Sequence, residues 1–332
     1  MQIFETIAFV LAGCGAFLIG FKVLSENMEK LFGKNLKSLF SKTSEKKFVG
    51  VGLGIATTAL IQSSSVTTVM VVGFVNAGLM SLYQAATIIM GANIGTTITA
   101  QIAALNTLPI NTFFILLLGV GVFMDLFSRN QKIKHGGLAL AGLGLVFLGL
   151  YVISATMGVY ADTSKYPEVG KFLSSLTNPF LLLFFGIIFT SIMQSSSAVT
   201  TIIIAMASSG LLIGMVDGVM TNAVLYIILG ANIGSTTTAL LSSAGANVNA
   251  KRAGVIHLLF NTIGSLIFML LLLTWKSFFQ DTFCQWFREP STQIAMFHTF
   301  FNVTCTFLFL PFTKQLVKLS TLLVPERATK NT

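Results

Sequence analysis

One polar tetrapeptide, Gln-Ser-Ser-Ser, occurs twice in an otherwise apolar sequence. The eight residues are Gln62, Ser63, Ser64, Ser65, Gln194, Ser195, Ser196 and Ser197. Serine hydroxyls donate and accept hydrogen bonds, and a glutamine amide donates two. A polar run is costly to bury in apolar surroundings unless it binds something. At the start of a helix, where backbone N–H groups are free, such a run favours an anion. We therefore expect the two copies to enclose one tetrahedral oxyanion with neutral donors.

A second motif, Gly-Ala-Asn-Ile-Gly, is duplicated at residues 91–95 and 230–234. Glycines within a polar part of a spanning helix predict a broken helix, and freed carbonyls with side-chain oxygens can bind sodium. The candidate sodium ligands are Asn93, Thr96, Thr97, Asn232, Ser235 and Thr236, with Asn261 as a further one. Neither tetrapeptide region contains Lys or Arg, so bound cations are the expected source of the balancing charge.

The composition indicates a membrane protein. Of the 332 residues, 54% are hydrophobic and only 9% are charged, whereas a soluble domain has about 25% charged residues. The mean hydropathy is +0.84. The net charge of +9 comes largely from lysines in short loops between apolar segments, a pattern that the positive-inside rule explains and that argues against nucleic-acid binding.

The expected fold is an all-α polytopic membrane protein with two inverted repeats, each containing a re-entrant hairpin and a broken transmembrane helix. The apolar arms beside each tetrapeptide are too short to span, which places the tetrapeptides at hairpin tips. The predicted boundaries are residues 1–136 for repeat 1 (hairpin 48–78, broken helix 82–105), residues 137–275 for repeat 2 (hairpin 178–210, broken helix 212–245), and residues 276–332 for the final transmembrane helix and a cytoplasmic tail.

Charge supports the inversion. If both hairpins re-enter without crossing, the basic loops at 25–47, 128–136 and 246–253 and the C-terminal tail share the cytoplasmic side. Each repeat then has three crossings, so the second enters from the opposite side, as in secondary transporters. The expected location is the inner (plasma) membrane with a cytoplasmic C-terminus. Residues 3–24 are expected to span, followed by an amphipathic interfacial helix over 25–47.

Two alternatives follow from the residues themselves. The polar motifs could serve only helix packing and capping. An intramembrane serine hydrolase would need a positioned base, for which His257 and His298 are the candidates. No acid lies near either histidine in sequence and no Gly-x-Ser-x-Gly element surrounds the serines, so no enzyme is expected. A histidine on an apolar helix face is more often a packing residue.

The paired Gln-Ser-Ser-Ser and Gly-Ala-Asn-Ile-Gly motifs, with His257 to Asn261 and the following Gly264, resemble the type II sodium–phosphate cotransporter family, including its bacterial branch. The resemblance covers about residues 8 to 312. It implies sodium-driven phosphate uptake by alternating access, with both tetrapeptides at the phosphate site and sodium nearby. No cofactor is expected; the expected ligands are inorganic phosphate, co-transported sodium and the lipid bilayer.

Two departures from the family pattern affect the details. Many bacterial relatives carry a phosphate-regulatory domain after the last span, so the resemblance implies a short form or a shortened chain. Electrogenic animal members use an intramembrane aspartate in the first repeat, and no acid occurs from Phe48 to Met124, which leaves the sodium stoichiometry open. Another oxyanion, such as sulfate or arsenate, and a phosphate-binding sensor or channel remain alternatives.

Overall fold

The structure is a computed structural model that describes residues 2–41, 46–105, 111–162, 164–216 and 219–326. Most of these residues are helical. The helices are α1 (Gln2–Ser41), α2 (Lys47–Ile61), α3 (Ser64–Asn76), α4 (Leu82–Ala104), α5 (Asn111–Phe127), α6 (Gln131–Gly158), α7 (Pro167–Ser175), α8 (Pro179–Met193), α9 (Ser196–Ser208), α10 (Ala223–Gly234), α11 (Thr236–Ser243), α12 (Val248–Thr274), α13 (Phe278–Asp281), α14 (Phe283–Trp286), α15 (Pro290–Phe309) and α16 (Thr313–Leu323). Short 3-10 turns follow α6 at Val159–Ala161 and α15 at Leu310–Phe312. Strands β1 (Met215–Val216) and β2 (Val219–Met220) pair antiparallel.

Five helical segments of the described chain are long and apolar enough to cross a membrane, or six if one bent pair counts as a span. They are Phe4–Phe40, Gln131–Ala161, Ala223–Ser243, Val248–Thr274 and Pro290–Leu323, and the bent pair is Pro167–Ser175 with Pro179–Met193, at 98°. The expected polytopic helical membrane protein is therefore confirmed. Helix α4 does not belong to this set although it has 23 residues. Most of α4 is buried against other helices, so it does not need a lipid-facing apolar surface.

The chain folds back at the first tetrapeptide. The Thr58 hydroxyl in α2 donates to the Thr67 hydroxyl in α3 at 3.0 Å. Residues this far apart on one straight helix would be separated by roughly 13 Å, so the contact requires a reversal at Gln62 and Ser63. Helices α2 and α3 therefore fold back on each other, as a hairpin requires, and its re-entry into the membrane with the bounds 48–78 stays a prediction.

Helices α8 and α9 are likewise joined at Gln194 and Ser195, within the predicted hairpin 178–210. Each hairpin packs through glycine. A side chain on Gly91 of α4 would run into the Val51 carbonyl of α2, and one on Gly230 of α10 would run into the Leu183 carbonyl of α8. The duplicated motifs thus bring α4 close to α2 and α10 close to α8.

The prediction of a broken helix at 82–105 is wrong, because α4 is continuous from Leu82 to Ala104. Its glycines give close contact with α2 and do not interrupt the backbone hydrogen bonds. The broken helix predicted for residues 212–245 also differs from the structure. That segment begins with the β1–β2 turn, and its helix starts only at Ala223. The one interruption, at Ser235, keeps right-handed helical backbone angles (φ −62°, ψ −21°).

The separate interfacial helix predicted for residues 25–47 is also wrong as far as Ser41. Helix α1 runs without interruption from Gln2 to Ser41, so this basic segment extends the first helix. Residues 42–45 lie outside the described part of the chain.

Helices α1 and α6 pack antiparallel through the small residues that repeat in the sequence. Gly13 lies against Gly149, and Gly20 lies against Gly142, each close enough that a side chain would meet the partner's backbone. Close approach through glycine is typical of helix pairs in membranes. The division into two inverted repeats and a final helix, with its boundaries, stays a prediction.

Candidate anion and cation sites

The two tetrapeptides adopt one backbone geometry. Gln62 (φ 58°, ψ 27°) ends α2 and Gln194 (φ 54°, ψ 26°) ends α8, both in the left-handed region. They are the two non-glycine residues with positive φ in the described chain. Each is followed by an extended serine, Ser63 at φ −148° and Ser195 at φ −150°. An unfavourable conformation kept at two matching positions points to function.

The extended serines begin the second helix of each hairpin. The Ser63 hydroxyl accepts from the Val66 N–H at 3.3 Å, and the Ser195 hydroxyl accepts from the Ala198 N–H at 3.2 Å. These are N-cap bonds, which leave the other N–H groups of the first turn free. The positive ends of α3 and α9 therefore lie at the two tetrapeptides, where an anion is favoured. We call Gln62–Ser65 and Gln194–Ser197 the first tip and the second tip.

The two tips touch, although 129 residues separate the atoms in contact. The Ser65 hydroxyl donates to the Gln194 carbonyl at 3.2 Å. The motif helices join the same network. Thr96 of α4 and Ser197 share a hydrogen bond of 2.9 Å, and the Thr99 hydroxyl donates to the Gln62 side-chain oxygen at 3.1 Å. The structure thus brings together both tetrapeptides and the helix that carries the first Gly-Ala-Asn-Ile-Gly motif.

A cavity of about 320 Å³ lies between the tips. Gln62 and Ser63 line it from the first tip, and Ser195 and Ser197 line it from the second. Its remaining polar wall comes from α1. Four predicted site residues do not line it, namely Ser64, Ser65, Gln194 and Ser196. Of these, Ser65 and Gln194 make the contact that holds the tips together.

Sequence reasoning missed two charged residues of this cavity. Lys22 and Glu26, one turn apart on α1, both line it, and their charged groups are 3.9 Å apart. The tetrapeptide regions themselves contain no Lys or Arg, but α1 brings one lysine to the cavity beside them. The available signal was the isolated lysine at the end of the first apolar segment. Its proximity to the tips depends on packing between segments remote in sequence, which the pattern does not contain.

The three asparagines among the candidate sodium ligands make the same side-chain hydrogen bond. The side-chain amides of Asn93, Asn232 and Asn261 each donate to the carbonyl four residues earlier, at 2.8–3.1 Å. The side-chain oxygens of Asn232 and Asn261 are buried without a hydrogen-bond partner among the described residues. A buried unpaired oxygen costs about 1–3 kcal/mol, and an oxygen held in this way can bind a hard cation.

Packing places Asn232 and Asn261 at the same level of two neighbouring helices. Ser265 of α12 donates to the Leu229 carbonyl of α10 at 3.1 Å, and Asn222 donates to the Leu272 carbonyl at 3.0 Å. The helices therefore run antiparallel, and one turn beyond the Ser265–Leu229 contact brings Asn261 opposite Asn232. This register sets both unpaired oxygens at about the same level of the two helices.

Three hydroxyl side chains of the predicted sodium site are hydrogen-bonded within their own helices. The hydroxyls of Thr97, Ser235 and Thr236 donate to carbonyls three residues earlier, at 2.7 Å each. Because the helices are nearly continuous, their carbonyls are not released as sodium ligands. The hydroxyl lone pairs remain as acceptors.

Helix α15 holds an asparagine that sequence reasoning did not include. Asn302 donates to the His298 carbonyl at 2.9 Å, and its side-chain oxygen is buried and unpaired. Thr306 of α15 donates to the Met90 carbonyl, and Gln101 of α4 donates to the Thr299 hydroxyl. This antiparallel register sets Asn302 at the level of Asn93. The signal was present, since His298–Asn302 repeats the spacing of His257–Asn261.

A base for hydrolysis is not formed at the tips. His298 is fully buried, and neither of its ring nitrogens has a hydrogen-bond partner among the described residues. His257 makes no hydrogen bond with a tip serine. Secondary transporters combine discontinuous helices with a small-ion site inside the membrane. The hydroxyl and amide donors between the two tips, the lysine–glutamate pair beside them and the buried amide oxygens fit that class.

Comparison with known proteins agrees with this class. A family model described as "Na+/Pi-cotransporter" matches residues 16–155 and 158–283, and the chain belongs to this family. The resemblance drawn from the paired motifs is thereby confirmed. The family is one of transporters, not enzymes, and the five or six candidate spans of the described residues make the chain a multi-pass membrane protein.

Named relatives cover most of the chain. "Putative inorganic phosphate export protein YjbB" of Escherichia coli (strain K12) is 29% identical over 308 residues, which are 92% of this chain and 54% of the relative. The chain therefore spans about half the length of YjbB. "Uncharacterized protein YqeW" of Bacillus subtilis is 28% identical over 314 residues, covering 94% of this chain and 96% of the relative.

A shorter match reaches the human sodium-dependent phosphate transport protein 2B, with 40% identity over 91 residues, 27% of this chain and 13% of the relative. No solved structure matches the chain significantly.

Proposed function

We propose that this protein is a secondary active transporter that couples sodium to the symport of inorganic phosphate by alternating access. The observation that carries the proposal is the direct contact of the two tips, Ser65 to Gln194 at 3.2 Å, beside one shared cavity. Each tip alone is a helix start with a few donors. Together they surround a small anion from two sides.

The chemistry of the cavity suits phosphate. Hydroxyl and amide donors, together with the positive ends of two helices, stabilise an oxyanion without dedicated arginines. The family description and the printed name of YjbB both refer to phosphate. Sulfate or arsenate uses the same tetrahedral geometry, so competition against labelled phosphate separates these substrates.

The sodium part of the proposal is supported by the buried amide oxygens. Asn232 and Asn261 both have unpaired buried oxygens, and the register of α10 on α12 sets them at about the same level. Three of the remaining proposed ligands, Asn93, Thr96 and Thr97, lie on α4, which packs against α2. Ser235 and Thr236 lie where α10, which packs against α8, meets α11. Thr96 bonds Ser197 of the second tip, so an ion bound there would act directly on the anion site.

Alternating access by inverted repeats is supported by the antiparallel packing of α1 on α6 and by the matching tip dihedrals.

The C-terminus is assigned to the cytoplasm of the inner (plasma) membrane. Arg252 donates to the Val324 carbonyl at 2.9 Å and approaches Glu326 at 3.5 Å. The basic loop 246–253 and the tail thus share one side, which the positive-inside rule makes cytoplasmic.

The direction of net transport in the cell has two versions. The resemblance implies uptake, whereas the relative YjbB is named for export. A symporter moves both ions along the combined gradient, so the proposal assigns the coupling and leaves the direction to the gradients.

Proteoliposomes test the coupling. Purified protein is reconstituted, and uptake of radiolabelled phosphate is measured with an inward sodium gradient, with equal sodium on both sides, and with potassium replacing sodium. We expect concentrative uptake only with the gradient. Uptake that is indifferent to sodium would refute the coupling. Sodium-dependent binding without concentrative uptake would indicate a sensor, and rapid dissipative flux would indicate a channel.

A further inference from the structure

Helix α1 brings an ion pair into the wall of the cavity between the tips. Lys22 and Glu26 are one turn apart on the same face and both line the cavity. Their charged atoms are 3.9 Å apart, and their side chains are 73% and 53% exposed. At 3.9 Å the pair is close to the outer limit of an ion pair, and neither charged group is enclosed by protein atoms. Lys22 is therefore not committed to Glu26 and can bind another anion.

The rest of the cavity wall carries no formal charge. Among the described residues that line it, Lys22 is the single cation and Glu26 the single acid. The tip residues provide only hydroxyls, an amide and the partial charge of two helix starts. Moving a phosphate from water into such a cavity leaves at least one full negative charge to be balanced. The lysine ammonium is a mobile point charge with three donors, suited to that task.

We propose that Lys22 is the positive charge of the anion site, and that it exchanges Glu26 for phosphate when the site fills. Glu26 then acts as the internal substitute for the anion, keeping the empty cavity electrically neutral and competing with phosphate for Lys22. This inference rests on the proposed function and extends it. It assigns an anion-binding role to a helix outside both tips, and it reduces the charge that sodium must balance.

The exchange predicts effects of opposite sign for the two partners. Lys22→Gln removes the attraction and leaves Glu26 to repel the anion. We expect the Kd for phosphate to rise at least tenfold. Glu26→Gln removes both competitor and repulsion, so the Kd should fall by about threefold or more, equivalent to at least 0.7 kcal/mol. Lys22→Arg keeps the charge and should stay within about threefold of wild type, within 0.7 kcal/mol. A purely structural role would make both neutral substitutions weaken binding.

The experiment is equilibrium binding of radiolabelled inorganic phosphate to the purified full chain in detergent at fixed sodium concentration. Lys30→Gln, an exposed lysine on the same helix that does not line the cavity, is the matched control and should not change the Kd. If the wild type binds phosphate, an unchanged Kd in Lys22→Gln would overturn this inference alone. Weaker phosphate binding in Glu26→Gln would do the same. Absence of phosphate binding in wild type would overturn the proposed function as well.

Discussion

Gln62 and Gln194 show how much of the site depends on single residues. A glutamine in the left-handed region is strained, and the tips keep it twice, at φ 58° and φ 54°. The Gln62 side chain is held at both ends, since its amide donates to the Ala59 carbonyl and its oxygen accepts from Thr99. Backbone strain and side-chain bonding together fix where the chain turns back.

Replacing Gln62 separates the backbone effect from the side-chain effect. Both Gln62→Gly and Gln62→Ala lose the bond to Thr99, but only glycine relieves the positive φ. We expect the free energy of unfolding of Gln62→Gly to exceed that of Gln62→Ala by about 1 kcal/mol. The difference is measured as a higher midpoint of thermal unfolding in detergent. The same pair of substitutions at Leu60, inside α2, should give the opposite order. An alanine variant at position 62 more stable than the glycine variant would contradict the left-handed turn.

Asn261 tests the cation site at the residue scale. Its side-chain oxygen is buried and unpaired. Asn261→Ala should raise the sodium concentration for half-maximal phosphate binding about tenfold, because a ligand is lost at roughly 1.4 kcal/mol, with little change in binding at saturating sodium. The control is Ser265→Ala, one turn further on α12, whose hydroxyl is already used on Leu229. An equal sodium response in both variants would remove Asn261 from the site.

At the scale of the helices, packing depends on glycines that were predicted to break helices and instead lie at close helix contacts. The duplicated Gly-Ala-Asn-Ile-Gly motif predicted broken helices, yet α4 is continuous. Glycine both weakens a helix and permits close contact, and sequence does not separate these two uses. The hairpins were predictable because four polar residues between short apolar arms leave few alternatives in a membrane.

Gly91 should therefore be a packing residue. A side chain there would collide with the Val51 carbonyl, whereas one on Gly52 of α2 would meet nothing within 4 Å. Gly91→Ala should lower the free energy of unfolding by about 1–3 kcal/mol through overpacking. Gly52→Ala should leave it unchanged or raise it by up to about 1 kcal/mol. Thermal unfolding in detergent compares the two. A stabilising Gly91→Ala would show that α2 and α4 are not in close contact.

At the scale of the whole molecule, the site forms only where remote segments meet. The composition, the helical class and the family were predictable from sequence, because apolar content and paired motifs are properties of the chain alone. Lys22 was not assigned to the site, because its place in the cavity follows from the packing of α1 against both tips. Asn302 was missed for a similar reason, since its level relative to Asn93 depends on the register of α15 on α4.

The central claim is that one phosphate binds between the two tips. Ser63 and Ser195 test it, because both line the cavity and both cap a helix. Aspartate and asparagine are equally good N-caps, so Ser→Asp adds a negative charge where Ser→Asn does not. Stoichiometric phosphate binding is measured on purified wild type, on Ser63→Asp and Ser195→Asp, and on the two asparagine controls.

We expect one phosphate per chain in wild type and loss of this binding in either aspartate variant, while each asparagine variant retains measurable binding. A single shared site requires that a charge in either tip alone be sufficient to expel the anion. Full phosphate binding in one aspartate variant, or two phosphates per wild-type chain of which each variant loses one, would contradict the shared site.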